Sequence, residues 1–190
     1  MVFQEPHDIE VLITVLLTRT LIAPFYRAYV DSLHLQGDER VLDYGAGSGA
    51  EARFLARRLL AGGGRLTCVD ISRVWTRVAR WALRRYPNVE CKQGEIAALD
   101  IPDGAYDAVV VHFVLHDIPA RQRPAIVAHL ARKMRPGGQL FIREPMQQER
   151  GIPAGEIRRL MKEGGLQEGA ASITHSRLTG VMFVGVFRKA

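Results

Sequence analysis

Cysteine is nearly absent from this 190-residue chain. The two that occur, Cys68 and Cys91, are too few for a cysteine-only zinc site, and no metal centre is expected. Both fall in apolar segments that read as neighbouring strands, where they are expected as buried free thiols of a reducing compartment. A membrane-length uncharged run is also lacking. Glu10 and Arg19 interrupt the apolar stretch from Ile9 to Val30, so nothing approaches the roughly 20 residues that span a bilayer. Met1 to Glu10 carries acids but no Lys or Arg, unlike the basic start of a secretory signal. The expected location is the cytoplasm. Internal repeats, low-complexity tracts and linkers are absent.

What remains is an ordinary globular composition. With 47% hydrophobic and 24% charged residues over 190 positions, the chain suits one compact domain with a single substantial core. Residues 1–35 read as one or two amphipathic helices broken or kinked at Pro24, forming an extension or lid ahead of a domain over residues 36–190. Packing of that segment against the sheet is the expectation; a lid, a dimer surface or a membrane-surface contact are the alternatives. Beyond it, helical periodicity over Ala50 to Leu60, Arg73 to Arg85, Arg121 to Met134 and Pro153 to Glu163 alternates with strand-like runs. Gly62 to Gly64 and Gly137-Gly138 are expected to end helices. That alternation predicts an α/β fold with parallel crossovers. Leu166 to Thr174 and Met182 to Arg188 are expected to form a closing antiparallel hairpin, joined by a polar turn.

The chemistry concentrates at strand ends. Val41-Leu42-Asp43-Tyr44-Gly45-Ala46-Gly47-Ser48-Gly49 reads as a buried strand, an acid and a three-glycine turn that opens a helix. Glycines there let the backbone turn sharply and approach a ligand. Their spacing also satisfies the dinucleotide fingerprint, so the glycines alone leave the cofactor undecided. Asp43 points away from a pyrophosphate, which its charge would repel, and toward a cationic amino group. A second strand ends in Asp70, placed to accept from two ribose hydroxyls. After a third, Glu95 is placed to accept from an adenine amino group and Ile96 to cover the ring.

Taken in order, these motifs resemble the class I S-adenosylmethionine-dependent methyltransferases, nearest to the small-molecule and quinone-type members. Asp70-Ile71-Ser72 with Ala79 resembles the family's second motif, Tyr106 to Val111 its fourth strand, and Arg135-Pro136-Gly137-Gly138 the turn into its fifth. The similarity covers roughly residues 36 to 188 and implies an α/β, Rossmann-like, seven-stranded, mostly parallel sheet with helices on both faces, a C-terminal antiparallel hairpin and extra N-terminal helices. It implies that Asp43, Gly45, Ala46, Gly47 and Gly49 hold the methionine part of S-adenosyl-L-methionine, Asp70 the ribose, and Glu95 with Ile96 the adenine, with Ile71 a further cofactor-binding residue. The product would be S-adenosyl-L-homocysteine. His112 is expected to border the methionine moiety.

The sulfonium makes its own methyl group electrophilic, so the protein must chiefly desolvate and align the reactants. A base is required only for a protonated nucleophile. His116 is the candidate, with an unperturbed pKa of roughly 6.5; Tyr26, Asp117 and Glu144 are candidates for facing the acceptor. Only Met146 to Ile152 separates the fifth strand from the next helix, leaving few private walls for a substrate pocket. His112-Phe113-Val114-Leu115 stands where base-amino methyltransferases carry an Asn-Pro-Pro-Tyr motif, which argues against that acceptor. Neither cysteine lies in a Pro-Cys loop suited to cytosine C5 chemistry.

The net charge of +6 is carried mostly by arginine. Arg73, Arg77, Arg80 and Arg84 follow one helical face with no acid in that helix. RNA or an anionic membrane would suit such a stripe, but no aromatic residues interleave with it for base stacking, so a solvated helix face is expected. A small-molecule methyl acceptor is the favoured partner, with a homodimer as a further expectation. An RNA or protein methyltransferase, and a noncatalytic cofactor-binding subunit of the same fold, are the alternatives.

Overall fold

In a computed structural model of the chain, residues 5–147, 151–176 and 180–190 are described. They fall into two compact units, Met1–Leu99 and Asp100–Ala190. The first runs α1 (Asp8–Arg19), α2 (Ala23–Ser32), β1 (Arg40–Tyr44), α3 (Ala52–Leu60), β2 (Arg65–Asp70), α4 (Arg73–Leu83), β3 (Val89–Gln93). The second runs β4 (Tyr106–His112), a 3₁₀ turn (Leu115–Asp117), α5 (Arg123–Lys133), β5 (Met134–Pro145), α6 (Ala154–Glu163), β6 (Leu166–Ser176), β7 (Gly180–Lys189). The strand order β3-β2-β1-β4-β5-β7-β6 makes one seven-stranded sheet, as the family resemblance implies.

In the first unit, β1 and β2 run parallel with Asp43 opposite Cys68, and β2 and β3 run parallel with Cys68 opposite Cys91. Both thiols are free. Val41 and Leu42 of β1 and Val69 of β2 are fully buried, as in strands covered on both faces, and Leu55, Ala56 and Leu59 form the buried side of α3. The turn after α3 closes through Gly64, whose N–H donates to the Gly37 carbonyl at 2.9 Å. Ser72 caps α4 by accepting from the Trp75 N–H at 3.0 Å, satisfying one of the orphan donors of the first turn.

In the second unit, β4 and β5 are parallel, while β7 runs antiparallel between β5 and β6. Residues 177–179, in the expected hairpin turn, and residues 148–150, in the segment after β5, lie outside the described residues. Arg135 to Gly138, expected as a turn before the fifth strand, belongs to β5 itself. Tyr106 already pairs with Met134, and a register shift between Tyr106 and Ala108 absorbs the extra residues before Ala108 pairs with Gln139. Gly137, at φ +75°, supplies the conformation that this bulged start requires.

The N-terminal segment departs from expectation in two ways. Pro24 does not break a helix: it occupies the first turn of α2, where its missing N–H costs nothing, and the 62° bend between α1 and α2 falls at residues 20–22. The apolar side of α1 is also not covered. Ile9, Leu12, Leu16 and Leu21 are 74%, 70%, 62% and 76% exposed, whereas Thr18 is buried. No single helix among the described residues is long and apolar enough to cross a membrane.

Candidate functional site

The first unit gathers the acids and glycines of the sequence motifs at the C-terminal ends of β1 and β2. The loop after β1 is tied to β2: the Gly45 and Ala46 N–H groups both donate to the Val69 carbonyl, at 2.8 and 3.1 Å. Gly47 donates to Asp70 Oδ2 at 2.7 Å, and the Ser72 N–H donates to Asp70 Oδ1 at 2.9 Å. Asp70 therefore uses both oxygens to fix the loop and the start of α4. Each carboxylate oxygen retains a lone pair, so the ribose role expected of Asp70 is compatible with this brace. Gly49 needs its lack of a side chain: at φ +75°, a Cβ there would lie 3.3 Å from Leu83 Cδ1 and 3.4 Å from Ala79 Cα.

Asp43 is the unusual member. It is 3% exposed, and its Oδ2 has no hydrogen-bond partner although it is buried. Burial, aided by the charge of Asp70, pushes its carboxyl pKa up to about 7. A buried, unsatisfied carboxylate at the mouth of a glycine turn is suited to an incoming cation. Tyr44, the next residue, is pushed up to about 12 by burial and by the charges of Asp70 and Glu95. Its phenol therefore stands within electrostatic reach of the acids at the ends of β2 and β3, a placement that the strand pattern gave no reason to single out.

The adenine-side residues divide. Ile96, expected to cover a ring, is 2% exposed and belongs to the core, while Ile71 is 40% exposed and offers the open apolar surface. Glu95 is exposed. Gly94, between β3 and Glu95, donates its N–H to the Asp70 carbonyl at 3.0 Å. Tyr26 lies on α2, half-buried, with its ring edge-on to Phe25.

One further acid enters the first unit from outside the motifs. The Glu5 carboxylate receives the Ser72 hydroxyl, the Arg73 N–H at 2.8 Å and the Val74 N–H at 3.3 Å. It thus sits on the N-terminus of α4, where helix polarity favours an anion. The Ser72 hydroxyl and the two backbone donors hold its pKa below the usual carboxylate range against a small desolvation effect. Its charge in turn adds to the burial that raises the Asp70 carboxyl.

In the second unit, the residues after β4 form a cluster of their own. His112 ends β4 buried and stacked on Phe113, with ring centroids 4.3 Å apart. Burial, reinforced by the charge of Arg143, holds its imidazole well below the ordinary histidine range. Phe113 adopts φ +59°, a strained conformation for an aromatic residue. The loop so turned is clasped by Glu144. That side chain is 0% exposed and accepts from the N–H groups of Val114 (2.8 Å), Leu115 (2.7 Å) and His116 (3.4 Å). Its Oε2 also lies 2.8 Å from His116 Nδ1. Glu144, expected to face substrate or a solvated turn, does neither: three backbone donors draw it under the loop.

His116 keeps its ring 17% exposed, and Nε2 lies 3.4 Å from Asp117 Oδ1. Burial works to lower its pKa, but the Glu144 hydrogen bond and the charges of Glu144 and Asp117 outweigh that, leaving it raised. Asp117 itself is 80% exposed along its side chain. Arg123 completes the frame by donating to the carbonyls of Ile118 (2.8 Å) and His116 (3.3 Å) and pairing with Glu156 at 2.8 Å.

This strand order, with an antiparallel β7 inserted before β6, a glycine turn after β1 and acids ending β1 and β2, defines a class I S-adenosylmethionine-dependent methyltransferase fold. The chain belongs to the methyltransferase domain family, whose pattern it matches over residues 41–138. It is 33% identical over 122 residues to a demethylmenaquinone methyltransferase of Tropheryma whipplei, covering 64% of this chain and 48% of that protein. A ubiquinone/menaquinone biosynthesis C-methyltransferase of Cronobacter sakazakii is 28% identical over 122 residues, or 62% and 47% of the two chains. The chain thus spans about half the length of the curated relatives it matches. Among solved structures, a methyltransferase of Methanosarcina mazei superposes with a TM-score of 0.72 at 21% identity, over 84% of this chain and 96% of that one. Magnesium protoporphyrin IX methyltransferase of Synechocystis, solved with its cofactor bound, gives 0.70 at 19% identity over 98% and 87%. These two likenesses are of fold.

Proposed function

We propose that the chain transfers a methyl group from S-adenosylmethionine to a small apolar acceptor of the quinol type. The observation that carries the cofactor assignment is Asp43: a buried carboxylate oxygen without a partner, beside a loop whose glycines admit a ligand to the main chain. The acceptor class rests on the names of the sequence relatives, which act on demethylmenaquinone or in ubiquinone and menaquinone synthesis.

When bound, S-adenosylmethionine supplies an electrophilic methyl carbon on a sulfonium. Asp43 gives the cationic amino group a charge-assisted partner. Asp70 would receive the ribose hydroxyls while continuing to hold Gly47 and Ser72, Glu95 would meet the adenine amino group, and Ile71 would offer it apolar surface. The glycine loop, pinned at both ends, fixes the reactant's position with little backbone freedom left to lose. His116 serves a protonated nucleophile. Its Nδ1–H is committed to Glu144, which leaves Nε2 as the atom that receives the acceptor's proton.

The test is calorimetric titration of the purified chain with S-adenosylmethionine, S-adenosylhomocysteine and NAD, followed by methyl-transfer assays on a hydroxylated naphthoquinol. Binding of both adenosyl-sulfur ligands without NAD, together with transfer, supports the reading. Binding without transfer to any quinol would remove the acceptor class and leave the cofactor site. NAD binding alone would reject both.

A further inference from the structure

Helix α1 is amphipathic in the wrong sense for a helix that serves only to cover a core. The side turned inward carries Val11, Thr14, Val15 and Thr18, all partly or fully buried; the side turned outward carries Ile9, Leu12, Ile13, Leu16 and Leu17 and continues at Leu21. These positions follow the three- and four-residue steps of one helical stripe. The buried Thr18 hydroxyl is satisfied within the helix, donating to the Thr14 carbonyl at 2.6 Å. The larger apolar side chains are the ones left in water, and together they form a contiguous patch of a kind that marks an interaction surface.

The flank of that patch is cationic and aromatic. Trp81 on α4 is 53% exposed. The Arg19 guanidinium lies 4.8 Å from its ring centroid and the Arg84 guanidinium 4.7 Å. Arg53 joins them by donating to the Thr18 carbonyl at 3.1 Å. Burial, and then the charges of Arg19 and Arg85, lower the Arg53 pKa, which places several like charges within reach of one another. Among the described residues none of Arg19, Arg53, Arg84 and Arg85 forms an ion pair with a carboxylate. The acids of α1, Asp8 and Glu10, occupy its first turn, at the opposite end from Arg19.

We propose that the outward face of α1, with its Trp81–arginine flank, is a docking surface for an anionic lipid bilayer, on which α1 lies in the plane of the interface. The charge pattern selects this occupant. Pairing with a second copy about a two-fold axis would run α1 antiparallel and bring only Asp8 and Glu10 against Arg19, Arg53, Arg84 and Arg85, leaving the cluster in charge excess. Lipid phosphates instead supply the counter-charge that the cluster lacks, the leucine stripe enters the acyl boundary, and Trp81 takes the interfacial position its amphipathic ring favours. At 12 residues, α1 is about 18 Å long, enough to lie on a membrane and too short to cross it. The surface stands independently of the methyl-transfer reading.

The experiment is co-sedimentation of the full chain with vesicles of phosphatidylcholine alone and of phosphatidylcholine with an equal part of phosphatidylglycerol. It is run for the native chain, Leu12→Glu/Leu16→Glu and Arg19→Glu/Arg84→Glu, with circular dichroism confirming that each variant folds. Expected is binding to the anionic vesicles that salt weakens, that falls at least about fivefold for each arginine replaced, and that the double leucine variant loses. A blue shift of Trp81 fluorescence in a Trp75→Phe background should accompany it. Equal binding to both vesicle types, or none to either, overturns the proposal. So does a concentration-dependent dimer in light scattering that the leucine variant abolishes, which would assign the face to a second copy.

Discussion

Glu144 and His116 meet through a 2.8 Å contact between a carboxylate that is 0% exposed and a ring nitrogen at the edge of solvent. The same carboxylate gathers the backbone of the loop carrying the histidine. One buried group thus sets the position, the tautomer and the proton affinity of a residue that still reaches water.

Changing Glu144→Gln should lower the His116 pKa, because the anion that raises it is gone. The side-chain amide nitrogen cannot accept, so one loop N–H loses its acceptor and stability should fall by about 1–3 kcal/mol. If neutral His116 is the active form, turnover in the native chain rises with pH through the raised pKa, and in the variant that limb moves to lower pH. The measurement is the pH profile of kcat beside an NMR titration of the ring; an unmoved limb assigns the proton transfer elsewhere. His116→Asn should reduce turnover with cofactor affinity unchanged.

Asp43, at about 7 in the folded chain against an ordinary 3.8, binds more protons folded than unfolded between those values. Its contribution to stability is therefore fully present below the unfolded pKa and is lost as pH rises through about 7. Asp43→Asn should raise Tm at pH 8 by at least about 3 °C while abolishing cofactor binding. In the native chain, cofactor affinity should increase from pH 6 to pH 8, with protons released on binding at the lower pH. Titration calorimetry in buffers of different ionisation enthalpy reads both effects.

Asp70→Ala should weaken S-adenosylmethionine binding by about 1.5–3 kcal/mol through lost charge-assisted hydrogen bonds. It should also loosen the loop, since Gly47 and Ser72 lose their acceptor. Hydrogen exchange at those two amides separates the effects: faster exchange with unaltered cofactor affinity would restrict Asp70 to bracing.

Gly49→Ala should destabilise the chain by more than about 1 kcal/mol, because φ is +75° and the added carbon meets Leu83 and the α4 backbone. Gly63→Ala, also at positive φ but with nothing within 4 Å of the new carbon, should cost less. Denaturant midpoints of the two variants test whether packing or conformation dominates at the loop.

Local pattern made the sheet legible. Apolar runs ending in Asp43, Asp70 and the Gln93-Gly94 turn are short, bounded by glycine, and separated by helical periods, so strand identity needed no tertiary information. The ends were harder. Arg135 to Gly138 carries turn residues, yet a bulge keeps it in the ladder. Pro24 breaks a helix by composition but starts one by position. Long-range relationships left no local trace: Glu5 on the first turn of α4, Glu144 under the histidine loop and Tyr44 beside two acids each depend on partners distant in the chain. The orientation of α1 was beyond periodicity as well, since a hydrophobic stripe reports that a face exists and not which way it turns.

The position of Glu5 links the N-terminal segment to the acid that ends β2. Its carboxylate makes Asp70 harder to ionise, and any interaction that stabilises charged Asp70 must work against that anion. By thermodynamic reciprocity, the two titrations are linked: neutralising Glu5 would bring the Asp70 carboxyl down toward its ordinary range, and neutralising Asp70 would ease ionisation of Glu5 by the same free energy. A residue that precedes α1 in the chain and one that ends β2 thus titrate as a linked pair.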